Sequence, residues 1–485
     1  DKHFIITRAE VDQFVAWFND PSQVDPDYTI PKSILEWPAH GDVSKGQSYF
    51  LAPFFDKDGD SFYDPITDGD YPFYDLSSNT ECNRSRDREP KLFGDITYWY
   101  VFNDKGNIHT NSNGDAIGLE VQAQEFAFAT NDEINNMTFT NYRIINRSTF
   151  TLIETYFGTN FDADLGSSED DFAGCDVKRG LGYVYNGPAC DGTGAPDHYG
   201  CNPPAIGVDF FEGPFQDPDN SDNPKDSACN AYMNGSIDGL NFGDGEVDNE
   251  RWGMRRLVYY CRPNSPGCYD AISDPQTATD YYDYLRGYWK DGTRMRYGGN
   301  GHATCTSCEY ADFMFPGAKS NPQQTDECFW GVCNDPEGKN CGVTPGDLNP
   351  WTEQQAGNTA NDRRFVHSAG PFVLEPGAEN DITVGIVWER ATSTDPFQSV
   401  ELIRLADDKA QALFDNCFKV LNGPDAPQLA YQELNREIIL YLSNPKVSNN
   451  YLEQYEERDP LIIEPDSFPG EKAGKIFDKE YHFQG

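Results

Sequence analysis

From about residue 48 to 160 the chain is cut into short runs of aromatic and β-branched residues: Ile96 to Val101, Ile117 to Ala129 and Phe139 to Ile145, with Gly, Asn and Asp between them. Runs this short, bounded by turn formers, satisfy their backbones by pairing with one another, so they predict antiparallel strands. Within the second run Leu119, Val121 and Ala123 alternate, and Phe126 and Phe128 then resume in the opposite phase. Because strand side chains alternate with a period of two, the phase change predicts one inserted residue, a β-bulge, and hence a curved sheet. Ile382, Val384, Ile386 and Trp388 alternate as a further half-buried strand. The expected fold class is therefore mainly β: an antiparallel β-sandwich core with long calcium- and disulfide-stabilised loops and few helices.

Two helices are expected. Thr7 and Glu10 have capping-box spacing, and Val11, Phe14, Val15 and Phe18 fall on one face before Pro21 stops the helix. After Asp395-Pro396, the residues Ile403, Ala406, Ala410, Leu413, Cys417 and Leu421 recur at helical spacing until Gly423-Pro424. Residues 160 to 350 read as loop, dense in Asp, Asn, Gly, Pro and Cys, with islands such as Leu257 to Cys261 that could pair. The expected organisation is an N-terminal helix and linker (1–47), a β-sandwich domain with acidic and Cys-rich insertions (48–395), a helix (396–423) and a further β segment (424–485), where Ala430 to Leu442 and Glu480 to Phe483 read as strands.

Lys and Arg number 37 against 80 Asp and Glu, a balance of −43, which excludes phosphate backbones and anionic bilayers as partners. Aromatic residues at 14% mark the chain as folded despite that charge. The sharpest motif is Asp56-Lys57-Asp58-Gly59-Asp60-Ser61-Phe62-Tyr63-Asp64, where Asp56, Asp58, Asp60 and Asp64 can converge on one cation around the bend at Gly59. Calcium, which takes six to eight oxygens in forgiving geometry, fits an all-carboxylate loop better than magnesium. The alternative is a solvated acidic turn, in which four close carboxylates would repel. A second cluster holds Asp162, Asp164, Asp170 and Asp171, and a third holds Asp244, Glu246 and Asp248 just before Arg251, Arg255 and Arg256, which could pair its charges instead. Ca2+ is the expected cofactor at each.

Seven of the 13 cysteines lie between Cys261 and Cys341, which points to a local disulfide framework and an oxidising compartment. Cys305, Cys308, Cys328, Cys333 and Cys341 could also bind zinc, but the loop-rich setting favours disulfides. An odd count leaves one thiol unpaired, and Cys417, on the apolar face of the late helix, is the expected buried thiol. No apolar run approaches the roughly 20 residues of a membrane span. Asp1-Lys2-His3 leads straight into an amphipathic segment, so an export signal is expected to have been removed.

No nucleophile elbow, zinc-protease motif, P-loop or dinucleotide fingerprint occurs. A glycosidase needs only two carboxylates brought together by the fold, so a secreted hydrolase acting on polysaccharide or protein stays open, as does a glycan-binding module.

At Ala52-Pro53-Phe54, Gly118-Leu119-Glu120-Val121, Asp170 to Asp176, Pro203 to Gly207 and Asp408 to Phe418 the chain resembles large surface proteins of Bacteroidota. That resemblance implies export by the type IX secretion system and residence on the outer-membrane exterior or release from it. From Pro424 onward the chain resembles the opening strands of a fibronectin type III domain, and the acidic motif resembles thrombospondin type 3 or dockerin loops more than an EF-hand. Asp226-Ser227-Ala228 fits the short O-glycosylation pattern of that phylum. The expected function is a secreted calcium-binding structural or adhesive surface protein, a subunit of a filament, motility or outer-membrane-associated assembly. Its expected partners are other surface proteins, copies of itself or glycans. Because a sandwich of this kind usually needs about 100 residues, the chain is expected to be the amino-terminal part of a longer polypeptide.

Overall fold

The computed structural model describes residues 2–20, 27–76, 90–177, 179–223, 239–302, 310–317, 351–419, 427–435 and 437–445, with a few positions beyond. Its strands in chain order are β1 (Phe4–Thr7), β2 (Phe54–Phe55), β3 (Tyr71–Pro72), β4 (Ile96–Asn103), β5 (Leu119–Ala127), β6 (Thr138–Asn146), β7 (Leu152–Asp162) and β8 (Asp171–Asp176). They continue as β9 (Leu181–Asn186), β10 (Cys190–Asp191), β11 (Gly200–Cys201), β12 (Ala205–Glu212), β13 (Arg256–Cys261), β14 (Arg363–Leu374) and β15 (Glu379–Glu389). Eight form one sheet in the order β1-β4-β5-β6-β15-β12-β9-β8, and three form another, β13-β14-β7. Every neighbouring pair is antiparallel.

The two sheets face each other through aromatic side chains: Tyr142 meets Phe157 at 5.3 Å, Phe157 meets Phe210 at 6.0 Å, and Phe210 lies 4.4 Å from the His367 ring. A Cβ on Gly182 would fall 2.7 Å from Leu257 and Phe365, so this glycine permits the close approach of the sheets. The mainly β, antiparallel character expected from the short runs is therefore present.

The first helix, Arg8–Asn19, carries the expected capping box: Thr7 Oγ1 accepts from Glu10 N at 3.2 Å, and the Glu10 carboxylate accepts from Thr7 N at 3.0 Å. Thr7 also ends β1, which pairs with β4, so the segment before residue 48 contributes an edge strand to the main sheet. Thr7→Ala should cost about 1 kcal/mol in chemical denaturation, the usual value of a lost cap.

Several expectations change. β5 pairs with β4 and β6 in unbroken register, so it contains no bulge. Leu119 and Val121 pack against the inter-sheet core and Ala123 shares their face of the strand, while Phe126 lies on the other face and stacks on Phe139 at 5.5 Å. The phase change marks which face is covered along a regular strand. Register shifts occur instead between Phe210 and Glu212 of β12 and between Ala369 and Leu374 of β14.

Residues 160 to 350 are also less loop-like than expected, since β12, β9 and β8 form three neighbouring strands of the main sheet. All residues of β8 and β9 are buried. The outer face of this region is covered by the start of the helix Phe397–Asp415, where Phe397 meets Tyr185 at 5.3 Å and Arg404 pairs with Asp176 at 2.9 Å.

Cys190–Cys201 and Cys261–Cys268 are disulfides. Cys417 is disulfide-bonded, not a thiol, and Cys175 is a buried thiol. Cys175 sits mid-strand in the core, its thiol donating to Met314 O at 3.2 Å. Cys305, Cys308, Cys328, Cys333, Cys341 and the Asp226-Ser227-Ala228 triplet lie outside the described residues. The Cys261–Cys268 bridge closes a short loop, so replacing both by Ser should cost about 2–3 kcal/mol by loop-closure entropy, read as a lower denaturation midpoint.

Two compact units are present, one of Asp1–Leu76 with Glu89–Asp408 and one that includes Lys409–Gly485. In the second, Gln428–Leu434 and Glu437–Ser443 pair as an antiparallel hairpin exposed along both strands. Among the described residues this unit holds two-stranded pairs only. No described helix is long and apolar enough to cross a membrane.

Candidate metal centre

The Asp56-to-Asp64 loop hangs between β2 and β3, and its shape follows from its own carboxylates. Asp56 accepts from Gly59 N and Ser61 N, both at 2.7 Å, closing the bend that Gly59 makes at φ +79°. Asp58 accepts from Asp60 N at 3.2 Å and Asp60 from Phe62 N at 2.7 Å. Each bond turns one more carboxylate toward the loop interior. As a result Asp56, Asp58 and Asp60 each offer an oxygen, and those oxygens all lie within 4.8 Å of one another. Ligands of one calcium ion, at 2.3–2.6 Å from it, are at most about 5 Å apart, so the three can share an ion.

Asp64 does not join them. Its Oδ1 accepts from Ile66 N and Thr67 N, both at 2.9 Å, and so caps the following turn. The base of the loop is held by a residue outside the expected set: Asp70, wholly buried, accepts from Lys57 N at 2.9 Å with one oxygen and from Asp64 N at 3.0 Å with the other. Tyr63 N donates to His40 Nε2 at 3.0 Å, fixing the far end. Lys57 leaves the motif, its ammonium 4.4 Å over the Phe18 ring.

Repulsion among the carboxylates shows at Asp70 and Asp68. Asp70 is raised above the ordinary carboxylate value by burial first, with Asp56 and Asp58 adding repulsion against its two amide bonds. Asp68 is raised by burial and then by repulsion from Asp58, Asp64, Asp70 and Asp60. Some burial raises Asp56, but the amides of Ser61 and Gly59 hold it below its usual value, so it stays ionised.

The second cluster divides. Asp162 ends β7 and pairs with Arg364 at 3.1 Å, which also holds Asp362 at 3.2 Å and Asp274 at 3.3 Å; Asp164 is exposed beside it. Asp170 and Asp171 lie instead at the start of β8, near Asp191, whose carboxylate accepts from Ser167 N at 2.8 Å and Tyr199 N at 2.5 Å.

In the third cluster Asp244 accepts from Glu246 N and Asn249 Nδ2, both at 2.9 Å, Glu246 from Asn249 Nδ2 at 3.5 Å, and Asp248 from Asn220 N at 2.7 Å. The loop faces a second acidic segment, in which Asp222 accepts from Gly243 N and Gly245 N at 2.8 Å. Asp217 Oδ1 and Asn249 Oδ1 are buried there without a hydrogen-bond partner. Arg251 pairs with Glu212 at 3.2 Å and Arg256 with Asp312 at 3.4 Å.

Asp70 reads from the sequence as a further ligand or the next turn, and it clamps the loop instead; Asp191 and Asp222 escaped sequence reasoning because each acts from another loop through backbone amides. The only signal in the sequence was their position beside glycine turns. The chain matches no protein-family model and no curated protein sequence at a significant level.

Proposed function

We propose that this chain is a calcium-binding structural or adhesive protein of a cell exterior, a subunit of a surface filament, motility or outer-membrane-associated assembly. The observation that carries the reading is the convergence of the Asp56, Asp58 and Asp60 oxygens within 4.8 Å on a loop clamped by buried Asp70. A rigid acidic loop of this kind acts as a strut once calcium fills it, since extracellular calcium is abundant enough to keep even modest sites occupied. The two described disulfides support an oxidising, extracytoplasmic setting.

The hairpin of the second unit supports assembly. Leu429, Tyr431, Ile438, Leu440 and Leu442 are each more than 60% exposed, and strands exposed on both faces suit a protein that finishes its packing against others. We read this hairpin as the opening of a fibronectin III-like domain, and export by the type IX route as the means of reaching the surface.

Protease added to intact source cells tests the location. The protein should be cleaved without lysis, and faster with chelator present; full protection until the cells are broken would end the surface reading.

A further inference from the structure

At the start of β8 the Ser167 side chain and the His198 ring favour ionised Asp170, yet four buried oxygens there have no hydrogen-bond partner. Asp171 opens the strand directly opposite Asn186 of β9, so the two side chains share one face of the sheet. Both residues are wholly buried. Neither carboxylate oxygen of Asp171 accepts a hydrogen bond, and neither do Asn186 Oδ1 or the buried Oδ1 of Asp170.

The neighbouring groups are already engaged. Asn186 Nδ2 donates to Pro188 O at 2.6 Å, and the second Asp170 oxygen accepts from Gly192 N at 2.9 Å. The Leu165 amide has a lowering influence on Asp171, yet it donates to Ala163 O at 3.0 Å. Arg363 is the nearby cation. Its Nε binds Glu353 at 2.8 Å, its NH1 the Tyr259 hydroxyl at 3.1 Å, and its NH2 both Thr359 O at 2.6 Å and Glu353 at 2.8 Å. His198 Nδ1 accepts from Thr193 N at 3.0 Å. Asp191, a third carboxylate, adds repulsion to both Asp170 and Asp171.

Buried polar atoms nearly always have partners, and a buried unpaired carboxylate is costly. Four donorless oxygens beside three acids call for a species that takes oxygens and offers charge. We infer that Asp170, Asp171 and Asn186 form a buried calcium site at the end of the β8–β9 pair. Asp171 contributes two oxygens, Asp170 and Asn186 one each, and backbone carbonyls or water complete the shell of six to eight; magnesium, which keeps several waters, suits so enclosed a place less well. The ion locks the edge strand β8 to β9. This site stands on its own orphaned oxygens and does not depend on the Asp56 loop.

The test is calorimetric titration of the full chain, stripped with chelator, with calcium alone as the probe. Asp171→Asn should bind one calcium fewer than the wild type, Asp58→Asn should lose a different one, and the double variant should lose both. Asn186→Ala, which removes an oxygen but no charge, should weaken the same site at least tenfold. Asp171→Asn is isosteric and removes a buried charge, so in chelator it should melt at or above the wild type while losing calcium-dependent stabilisation. Unchanged stoichiometry in Asp171→Asn, or a melting point above the wild type in calcium as well as in chelator, would overturn the site and leave Asp171 a protonated buried acid. An unchanged Asp58→Asn would count against the loop only.

Discussion

Stripping calcium from the purified chain should lower its thermal midpoint and open the segment around residue 60 to proteolysis. A ligand that binds only the native state stabilises it by about 2.7 kcal/mol per site when present at 100 times its dissociation constant. Two sites would thus contribute about 5 kcal/mol, a large share of the 5–15 kcal/mol typical of a domain. The effect has a specific origin in the loop: Asp56, Asp58 and Asp60 crowd together on a chain already at −43. Magnesium should restore little, because an octahedral shell that keeps its waters does not fit a loop whose carboxylates supply the ligands. The Asp56→Asn/Asp58→Asn/Asp60→Asn variant should lose the loop's share of the calcium response and gain stability in chelator. A midpoint that does not move between excess calcium and excess chelator would refute this.

A second large effect is expected from His367. It is wholly buried between the sheets, against the Phe210 and Phe365 rings; Nδ1 shares a hydrogen bond with the Thr159 hydroxyl, and Nε2 has no partner. Burial pushes its pKa down from 6.5 to about 3, outweighing the Thr159 contact, which raises it. In the unfolded chain the ring takes a proton below about 6.5, whereas in the folded chain it stays neutral to about 3. The unfolded state therefore binds more protons in that window, and stability must fall as pH falls through it. The slope is about 1.4 kcal/mol per pH unit, so some 2 kcal/mol is lost between pH 6.5 and 5. His367→Gln, measured by urea denaturation in chelator, should flatten the curve by that amount between those values. A wild type and variant with parallel pH profiles would show that the ring titrates freely in the fold.

What could be read from the sequence followed the physics of local pattern. The capping box at Thr7 and Glu10, the helix after Pro396 and the strands at Ile96, Phe139 and Ile382 each carry a local signal, in cap spacing or in apolar periodicity, that can be read from neighbouring residues. β8, β9 and β12 have no wet face. Their residues, such as Asp171-Phe172-Ala173-Gly174-Cys175-Asp176, are buried on both sides and mix acids with glycines, so they carry no alternation to read. The same cause misled the reading of β5, where the covered face switches along a regular strand and imitates a bulge.

The acidic loop was legible for a related reason. Its convergent carboxylates are local, at alternate positions around Gly59, while Asp64 dropped out because its turn's own amides claimed it. Asp191 reaches its loop from another segment, and Asn186 meets Asp171 only through strand register, so spacing could not reveal either of them.

The central claim, that calcium organises this fold, is most directly tested by an experimental structure of the calcium-loaded chain. The account predicts an ion in the Asp56 loop with oxygens of Asp56, Asp58 and Asp60 at about 2.3–2.6 Å from it. Splayed carboxylates around nothing but water, at saturating calcium, would contradict it.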